Sequence, residues 1–198
     1  MTKIKLCGLR RAEDIEAANL LKPDYIGFVF YKKSKRYVSV EEAKILKSML
    51  LVKAVGVFVN EDPKAVADLL EKGIIDLAQL HGSEDEDYIK DLRKLTEKPL
   101  IKAFQVKTEE DLKKAEASSA DMILLDAGTG DGVSFDWDML KSFKRPYFLA
   151  GGLYPQNVKE AIEKLHPYGV DVSSGIETDG VKDIKKMREF MANVRFAG

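Results

Sequence analysis

Eight short runs rich in apolar, β-branched and aromatic residues alternate with eight stretches of helical spacing, and this alternation constrains the fold most. Such runs predict strands, whereas apolar residues three and four positions apart predict amphipathic helices. The expected strands span residues 3–6, 25–30, 54–59, 76–80, 100–104, 122–125, 147–150 and 170–172. The expected helices span residues 11–21, 40–50, 63–71, 84–95, 108–117, 136–143, 155–165 and 181–194. The alternation predicts an α/β protein with a parallel sheet.

Several helix boundaries have a chemical reason in the sequence. Pro63 and Pro155 suit a first helical position, where a missing N–H costs no intrahelical hydrogen bond. Thr108 is a suitable N-cap, and the acidic residues after it favour the positive end of the helix dipole. Gly73 and Gly169 stand where a helix is expected to end before a strand begins.

Two folds are compatible with this alternation, a (βα)8 barrel and an open doubly wound sheet. The units average about 25 residues, which is compact for a barrel of typical length about 250 residues. A dinucleotide-binding open sheet needs a glycine fingerprint after its first strand, and Cys7-Gly8-Leu9-Arg10 is not one. The sequence therefore predicts a single (βα)8 TIM barrel with short loops, one domain over residues 1–198. The short eighth strand and the poorly periodic sixth helix fit it least well.

The charge balance excludes strong attraction to nucleic acid or to an anionic membrane. The chain has 33 acidic and 32 basic residues, a formal charge of −1. Its one dense basic run, residues 31–36, is also typical of a solvated loop. No apolar run approaches the roughly 20 residues of a membrane span, and one cysteine cannot form an internal disulfide. We expect a cytoplasmic protein with no nucleic-acid or membrane partner.

Unusual residues follow the predicted strands, at the barrel end where working residues collect. They are Cys7, His81, Asp126, Gly151-Gly152 and Ser173-Ser174-Gly175. Glycine-rich loops after the last two strands let backbone N–H groups approach an anion, which suggests a phosphate-bearing ligand. The alternative is that these glycines only connect elements.

The stretch "LLDAGTGDG" resembles two ion- or cofactor-binding patterns without matching either. A calcium loop starting at Asp126 would have glycine at its third and fifth positions and Trp137 at its twelfth, so it fails. A dinucleotide fingerprint fails because Val133 stands at its third glycine position. What remains is an acidic residue at the end of a strand, followed by a loop that a substrate can approach.

Cys7 has two interpretations, a small buried hydrophobe and a functional thiol. Its place at the barrel mouth favours function, since Cys7 and Asp126 would face each other across a bound molecule as base and acid. The base needs a thiolate, favoured by a helix end or backbone N–H that the sequence does not identify. The acid needs a proton held above its ordinary pKa, or acquired once substrate shields it. His166 is expected at the surface, and His81 in a hydrogen bond within its loop.

Several segments together resemble the phosphoribosylanthranilate isomerase family of tryptophan biosynthesis. In chain order these segments are "KLCGL", "GFVFYKKSKRYVS", "AVGVFVN", "QLHG", "LLD", "GTG", "FDW", "AGGLYPQNV" and "GVDVSSGIE". The resemblance implies a single (βα)8 barrel, a monomer or homodimer, that needs neither metal nor organic cofactor. The implied activity is the Amadori rearrangement of N-(5-phosphoribosyl)anthranilate to 1-(2-carboxyphenylamino)-1-deoxyribulose 5-phosphate.

The resemblance also implies roles for individual residues. Asp126 would be the general acid that opens the sugar ring, and Cys7 the general base that removes the C2′ proton. Arg36 would pair with the anthranilate carboxylate. The phosphate would be held by the backbone around Gly151, Gly152, Ser173, Ser174 and Gly175.

The chain departs from the family pattern in two loops. Asp131-Gly132 is inserted in "AGTGDGVSFDW", and "TDGV" replaces the more usual proline–glycine turn before Lys182.

Two other functions remain open. One is the histidine-pathway isomerase, which has an acid where Cys7 stands, and the other is a non-catalytic barrel that binds a sugar phosphate or a protein.

Overall fold

Eight parallel strands close into a barrel in chain order in the computed structural model, which describes residues 1–128 and 137–197. The strands are β1 (Lys3–Cys7), β2 (Tyr25–Val29), β3 (Lys53–Phe58), β4 (Leu77–Leu80), β5 (Leu100–Gln105), β6 (Met122–Asp126), β7 (Tyr147–Ala150) and β8 (Gly169–Val172). Pairing of β1 with β8 closes the ring. The predicted (βα)8 barrel is confirmed. That residues 1–198 form one domain stays a prediction, and the Asp131-Gly132 insertion lies outside the described residues.

In the described residues, seven α-helices surround the barrel. They are α1 (Ala12–Leu21), α2 (Val40–Met49), α3 (Pro63–Glu71), α4 (Glu86–Arg93), α5 (Glu109–Ala117), α6 (Pro155–Leu165) and α7 (Ile184–Arg195). Pro63 and Pro155 begin their helices as expected, and the Thr108 side chain accepts a hydrogen bond from the Asp111 N–H. Within the described ranges, no helix is long and apolar enough to cross a membrane.

Three expectations about the helices need correction. The helix expected over residues 136–143 is a 3-10 helix, Trp137–Ser142. Pro146 follows closely and disfavours helical geometry at the residue before it, which leaves little room for α-helical turns. The left-handed cap of α6 is His166 (φ 46°), whereas Gly169 is the first residue of β8. Helix α7 begins at Ile184 rather than 181, because Asp183 accepts hydrogen bonds from two N–H groups of its first turn.

A small hairpin occupies the chain that the sequence assigned to the start of the last helix. Its strands are β9 (Glu177–Thr178) and β10 (Val181–Lys182), which pair antiparallel. The two residues between them, Asp179 and Gly180, both have positive φ, the geometry that Asp-Gly favours in tight hairpins. The segment "TDGV", where the sequence departs from the family pattern, forms this turn. It places Glu177 and Lys182 opposite each other at the barrel mouth.

The core has two layers because each strand is buried on both faces. Inside the barrel, apolar side chains from five consecutive strands, β3 to β7, fill much of the interior; they are Val55, Leu77, Ile101, Ala103, Leu124, Phe148 and Ala150. The other faces of the strands pack against the helices in a larger apolar layer. The filled interior leaves no passage for a ligand through the part of the barrel that these side chains occupy.

Candidate active site

A cavity of about 310 Å³ opens at the carboxyl ends of the strands. Most of the residues that the sequence analysis singled out line it, namely Cys7, Arg36, Asp126, Gly151, Gly152, Ser173 and Ser174. His81, Gln79 and Asp171 line it too. Gly175 lies behind this wall, because a Cβ there would stand 1.9 Å from the Leu153 carbonyl oxygen. The structure brings the expected residues together, while their roles stay predictions.

Cys7 lies at the end of β1 against an apolar wall of Val29, Val57 and Tyr31. The chain turns sharply after it, since Gly8 has φ +78°. A Cβ on Gly8 would also stand 2.4 Å from Cδ of Arg36. Only glycine accommodates this turn and the passage of Arg36 above it. The glycine after the cysteine therefore lets the thiol and the guanidinium share one side of the cavity.

Burial raises the pKa of the Cys7 thiol, and this effect outweighs the charges around it. The ammonium groups of Lys5 and Lys182 act in the opposite direction, whereas the Asp171 carboxylate adds to the rise. The groups that favour the thiolate thus include two lysines, where the sequence analysis expected a helix end or a backbone N–H. In the free protein the thiol form predominates at neutral pH.

Asp126, whose side chain is 27% exposed, ends β6 across the cavity. Its Oδ1 accepts a hydrogen bond from the Gly128 N–H at 2.9 Å, and its Oδ2 lies 3.5 Å from Nε2 of His81. Burial raises the pKa of Asp126, but the His81 contact and the Gly128 N–H outweigh it, so the net pKa is lowered. Asp126 in the free protein is a carboxylate at neutral pH. A proton held above the ordinary pKa, one of two expectations for the acid, is therefore wrong for the free protein.

His81 is held at both ends, which explains its orientation. Its Nδ1 lies 2.7 Å from Nε2 of Gln79, whose amide is buried in β4. The loop after His81 is fixed by a buried ion pair between Lys102 and Glu84 at 3.0 Å. Lys102 also donates to the Gly82 carbonyl, and Glu84 accepts from the Gly82 N–H. His81 was expected to hydrogen-bond within its own loop, whereas its ring nitrogens contact Gln79 on β4 and Asp126 on β6.

Arg36 forms a two-point ion pair across the mouth. Its Nε and Nη2 donate to the two carboxylate oxygens of Glu177 at 2.6 and 2.7 Å. Lys182 donates to the same carboxylate at 2.6 Å and to the Ser173 carbonyl at 2.8 Å. The Ser173 hydroxyl in turn donates to the Cys7 carbonyl at 3.1 Å. The hairpin thus fixes Arg36 and joins it to the loop beside Cys7.

The loop after β7 leads into the N-terminus of α6. Asn157 ties this loop, donating to the Gly152 carbonyl at 2.9 Å and accepting from the Tyr154 N–H at 2.8 Å. Gly152 has φ +67°, and the space where its Cβ would lie is open. Backbone N–H groups ahead of a helix are suited to bind an anion. This geometry is compatible with the phosphate site expected at Gly151, Gly152, Ser173 and Ser174.

Residues that the sequence analysis missed are the charged partners around Cys7 and Arg36. Lys5, Asp171, Glu177 and Lys182 were not expected at the site, although all four lie beside expected residues. Lys5 precedes Cys7 by two positions on one strand, so the two side chains point to the same face. That spacing was the available signal for Lys5, whereas Glu177 lay within the quoted segment "GVDVSSGIE" without a role assigned to it.

The opposite face of the barrel has a wider open depression of about 530 Å³. Four of its five charged side chains form ion pairs with each other, Lys3 with Asp24 and Lys47 with Asp76. In the described part of the chain, no group of three or more His, Cys, Asp or Glu residues is placed to hold a metal ion. The cavity at Cys7 and Asp126 is therefore the better candidate for chemistry.

Comparison with known proteins identifies a family with this arrangement. The family model described as N-(5′-phosphoribosyl)anthranilate (PRA) isomerase matches residues 4–193. The N-(5′-phosphoribosyl)anthranilate isomerase of Endomicrobium trichonymphae is 46% identical over 202 residues, covering 98% of this chain and 99% of the relative. The enzyme of that name from Thermoanaerobacter sp. (strain X514) is 47% identical, with 98% of each chain covered.

Solved structures agree with this result. The crystal structure of phosphoribosyl anthranilate isomerase from Thermotoga maritima superposes with a TM-score of 0.91 at 36% identity, covering 99% of this chain and all of that one. A phosphoribosyl anthranilate isomerase solved in complex with reduced 1-(o-carboxyphenylamino)-1-deoxyribulose 5-phosphate has a TM-score of 0.88. The 3-hexulose-6-phosphate synthase of Salmonella typhimurium, at 18% identity and a TM-score of 0.77, shares the fold.

Replacing His81 tests the electrostatics of Asp126. His81→Asn removes the contact that most strongly lowers the Asp126 pKa, so we expect that pKa to rise, as followed by carboxyl NMR titration. The lowered pKa stabilises the fold above the ordinary value of 3.8, and this contribution is lost as pH falls through the lowered value. The variant should lose part of that acid-dependent stability. His166→Asn, at the exposed cap of α6, is the control and should change neither quantity. An unchanged Asp126 titration in His81→Asn would contradict the assignment.

Proposed function

Because the chain belongs to the N-(5′-phosphoribosyl)anthranilate isomerase family of tryptophan biosynthesis, we propose that Cys7 and Asp126 carry out its isomerisation at the barrel mouth. The substrate is N-(5′-phosphoribosyl)anthranilate, and the product is 1-(2-carboxyphenylamino)-1-deoxyribulose 5-phosphate. The observation that carries the assignment of roles is one cavity lined by a lone thiol, a carboxylate on the opposite side, and two loops suited to phosphate. A relative solved with the reduced product supports the same substrate class.

Protonated Asp126 gives its proton to the ring oxygen as the bond from that oxygen to C1′ breaks, and the nitrogen lone pair forms a protonated Schiff base. The Cys7 thiolate then takes the C2′ proton, and the electrons of that C–H bond form the C1′–C2′ double bond while the iminium is neutralised. The resulting enolamine tautomerises to the ketose. One proton has left Asp126 and one has reached Cys7, so the pair ends as carboxylate and thiol.

Arg36 binds the anthranilate carboxylate in this proposal, held in place by Glu177. A planar guanidinium with two donors already fixed presents its remaining edge in one orientation. The loops after β7 and β8, with Gly151, Gly152, Ser173 and Ser174, hold the phosphate at the other end of the cavity. The sugar would then lie between Cys7 and Asp126.

The protonation states set the pH dependence. The free protein carries a Cys7 thiol and an Asp126 carboxylate at neutral pH, whereas the reaction begins from the thiolate and the carboxylic acid. Each of these two protonation states of the Cys7–Asp126 pair holds one proton in total. The ratio of their populations therefore does not change with pH. Activity is therefore flat between the lowered pKa of Asp126 and the raised pKa of Cys7, and it falls outside that range.

In each single variant, this flat range of kcat/KM against pH should become a slope, and the slopes of the two variants should have opposite signs. Asp126→Asn leaves only the need for thiolate, so its residual kcat/KM should rise with pH across the neutral range. Cys7→Ser leaves only the need for the carboxylic acid, so its residual kcat/KM should fall with pH across the same range. Each variant should lose about 100-fold or more in kcat, measured by fluorescence during substrate consumption.

Two results would contradict these roles. Turnover of Cys7→Ser within about tenfold of the unmodified protein, a barrier change of only ~1.4 kcal/mol, would exclude Cys7 as the base. Parallel pH slopes in the two variants would exclude opposite roles for the two groups. A protein that binds sugar phosphate without any turnover would instead support the non-catalytic barrel.

Replacing Arg36 tests the carboxylate site. Lysine provides a single charged head in place of the planar fork, so Arg36→Lys should raise the Michaelis constant about tenfold or more. The inhibition constant of inorganic phosphate should stay unchanged. Arg10→Lys, an exposed position just after the Cys7 turn, is the matched control and should change neither constant. Equal losses for substrate and phosphate would move Arg36 to the phosphate end.

Gly152 tests the phosphate site better than Gly175, which is packed against Leu153. Gly152→Ala adds a methyl group in open space at the mouth, and it should weaken inhibition by inorganic phosphate. Gly73→Ala is the matched control, with the same φ of +67° and the same open surroundings after α3. Both variants should lose similar stability, but only Gly152→Ala should lose phosphate affinity. Equal phosphate affinity in the two variants would contradict the assignment.

The assembly and location follow from the same family. We propose a cytoplasmic monomer or homodimer that takes this phosphorylated small molecule and no nucleic acid. The Thermotoga maritima relative is described as dimeric, with monomers generated by mutation. Sedimentation equilibrium measures the state of this chain, and an assembly larger than two would contradict the proposal.

A further inference from the structure

Lys5 is a fully buried lysine inside the barrel, directly beneath the candidate site. Its side chain is 0% exposed, and its Nζ lies 2.9 Å from Oδ2 of Asp171, which is itself 8% exposed. The two residues face each other in the register of β1 and β8, the pair of strands that closes the ring. Oδ1 of Asp171 has no hydrogen-bond partner in the described part of the chain. Lys5 is thus the cation that compensates this buried carboxylate.

Filling the barrel interior with a buried ion pair is energetically unfavourable compared with filling it with apolar side chains. Removing two charges from water costs more than the attraction returns unless the geometry is favourable, and apolar residues of similar volume serve stability as well or better. The neighbouring strands contribute Val55, Leu77, Ile101 and Leu124 to the same interior. The other buried pair, Lys102 and Glu84, fixes the loop after His81. Packing alone does not account for Lys5 and Asp171.

The position of Lys5 supplies a reason. It precedes Cys7 by two residues on β1, so both side chains point into the barrel, one below the other. The positive charge of Lys5 lowers the pKa of the Cys7 thiol, against the larger opposing effect of burial. Other charged groups also act on Cys7 from the elements around it. These are Asp171 on β8, Lys182 on β10 and Arg36 in the segment after β2.

We propose that Lys5 is a positioning residue that stabilises the Cys7 thiolate, and that Asp171 holds the Lys5 side chain in place while partly offsetting its charge. When the thiolate takes the substrate proton, Lys5 retains its own proton and the ion pair with Asp171 remains. Neither residue touches the reacting atoms through this role. The proposal deepens the proposed function, on which it rests for its catalytic consequence, but the coupling between Lys5 and Cys7 is measurable without substrate.

The test is the rate of alkylation of Cys7 by iodoacetamide as a function of pH, since Cys7 is the only cysteine and the thiolate is the reactive form. Lys5→Met keeps the length of the side chain and removes its charge. It should slow alkylation at neutral pH by about tenfold or more and move the midpoint to higher pH. Asp171→Asn removes the competing anion and leaves the Cys7 sulfur as the anionic partner of Lys5, so it should accelerate alkylation and move the midpoint to lower pH.

The two variants break the same ion pair but predict opposite shifts, which a merely structural role of the pair does not. The control is Lys3→Met, on the same strand, whose ammonium lies 2.7 Å from Asp24 at the other end of the barrel. It should leave the alkylation midpoint unchanged. If Lys5→Met does not fold, the double variant Lys5→Met/Asp171→Asn replaces it in the test, because it removes both charges of the buried ion pair. It should still alkylate more slowly than the unmodified protein, because Lys5 acts on Cys7 more strongly than Asp171 does.

Shifts in the same direction for Lys5→Met and Asp171→Asn, or no shift in any Lys5 variant, would overturn the proposal. In isomerase assays, Lys5→Met should lower the plateau of kcat/KM by the same factor as the alkylation rate, and its alkaline limb should move to higher pH. If alkylation shifts as expected but the isomerase profile does not, the Lys5–Cys7 coupling is supported and Cys7 as base is refuted. If only isomerase activity falls, the coupling is refuted.

Discussion

Hydrogen bonds between β1 and β8 are the constraint on which the rest of the molecule depends. They join the first and last barrel strands in the register that sets Lys3 against Gly169 and Leu6 against Val172. Closure removes the edges that an open sheet would expose. It also places the loop after β8 beside the end of β1, where the Ser173 hydroxyl meets the Cys7 carbonyl across 166 positions of sequence. The site exists only in the closed ring.

The charges named at the mouth are close to balanced, and this determines how an anionic substrate is recognised. Lys5 faces Asp171, and both Arg36 and Lys182 face Glu177, while Asp126 lies near His81. Net charge is therefore a weak source of attraction for a molecule with a carboxylate and a phosphate. In the proposed binding mode, the oriented dipoles of the α6 N-terminus and the fixed edge of Arg36 would provide direction as well as attraction. Recognition in that mode would depend on geometry more than on total charge.

The sequence predicted the barrel well because its periodicities are local. Every barrel strand was placed within one residue at each end, whereas the hairpin strands β9 and β10 were not predicted. The errors in the helices lie where a neighbouring residue changes the local geometry, as Pro146 and Asp183 do. The cavity residues Cys7, Asp126 and Gly152 were found because barrel topology brings strand ends together, whereas Arg36 was expected only from the family resemblance. Lys5 was missed for a physical reason. A lysine that alternates with apolar residues on a strand normally faces water, but in a barrel the alternate face is a second interior.

The burial of Cys7 has a further chemical consequence, concerning oxidation. Peroxides and disulfides react with thiolates far faster than with thiols, and the solvent exposure of the sulfur limits their approach. Cys7 is only 8% exposed, and burial keeps it largely protonated in the free protein. In the proposed mechanism its thiolate is needed only when substrate lies over it and blocks the way from solvent. The barrel would thus shelter its single thiol from the side reactions that a permanently activated cysteine would undergo.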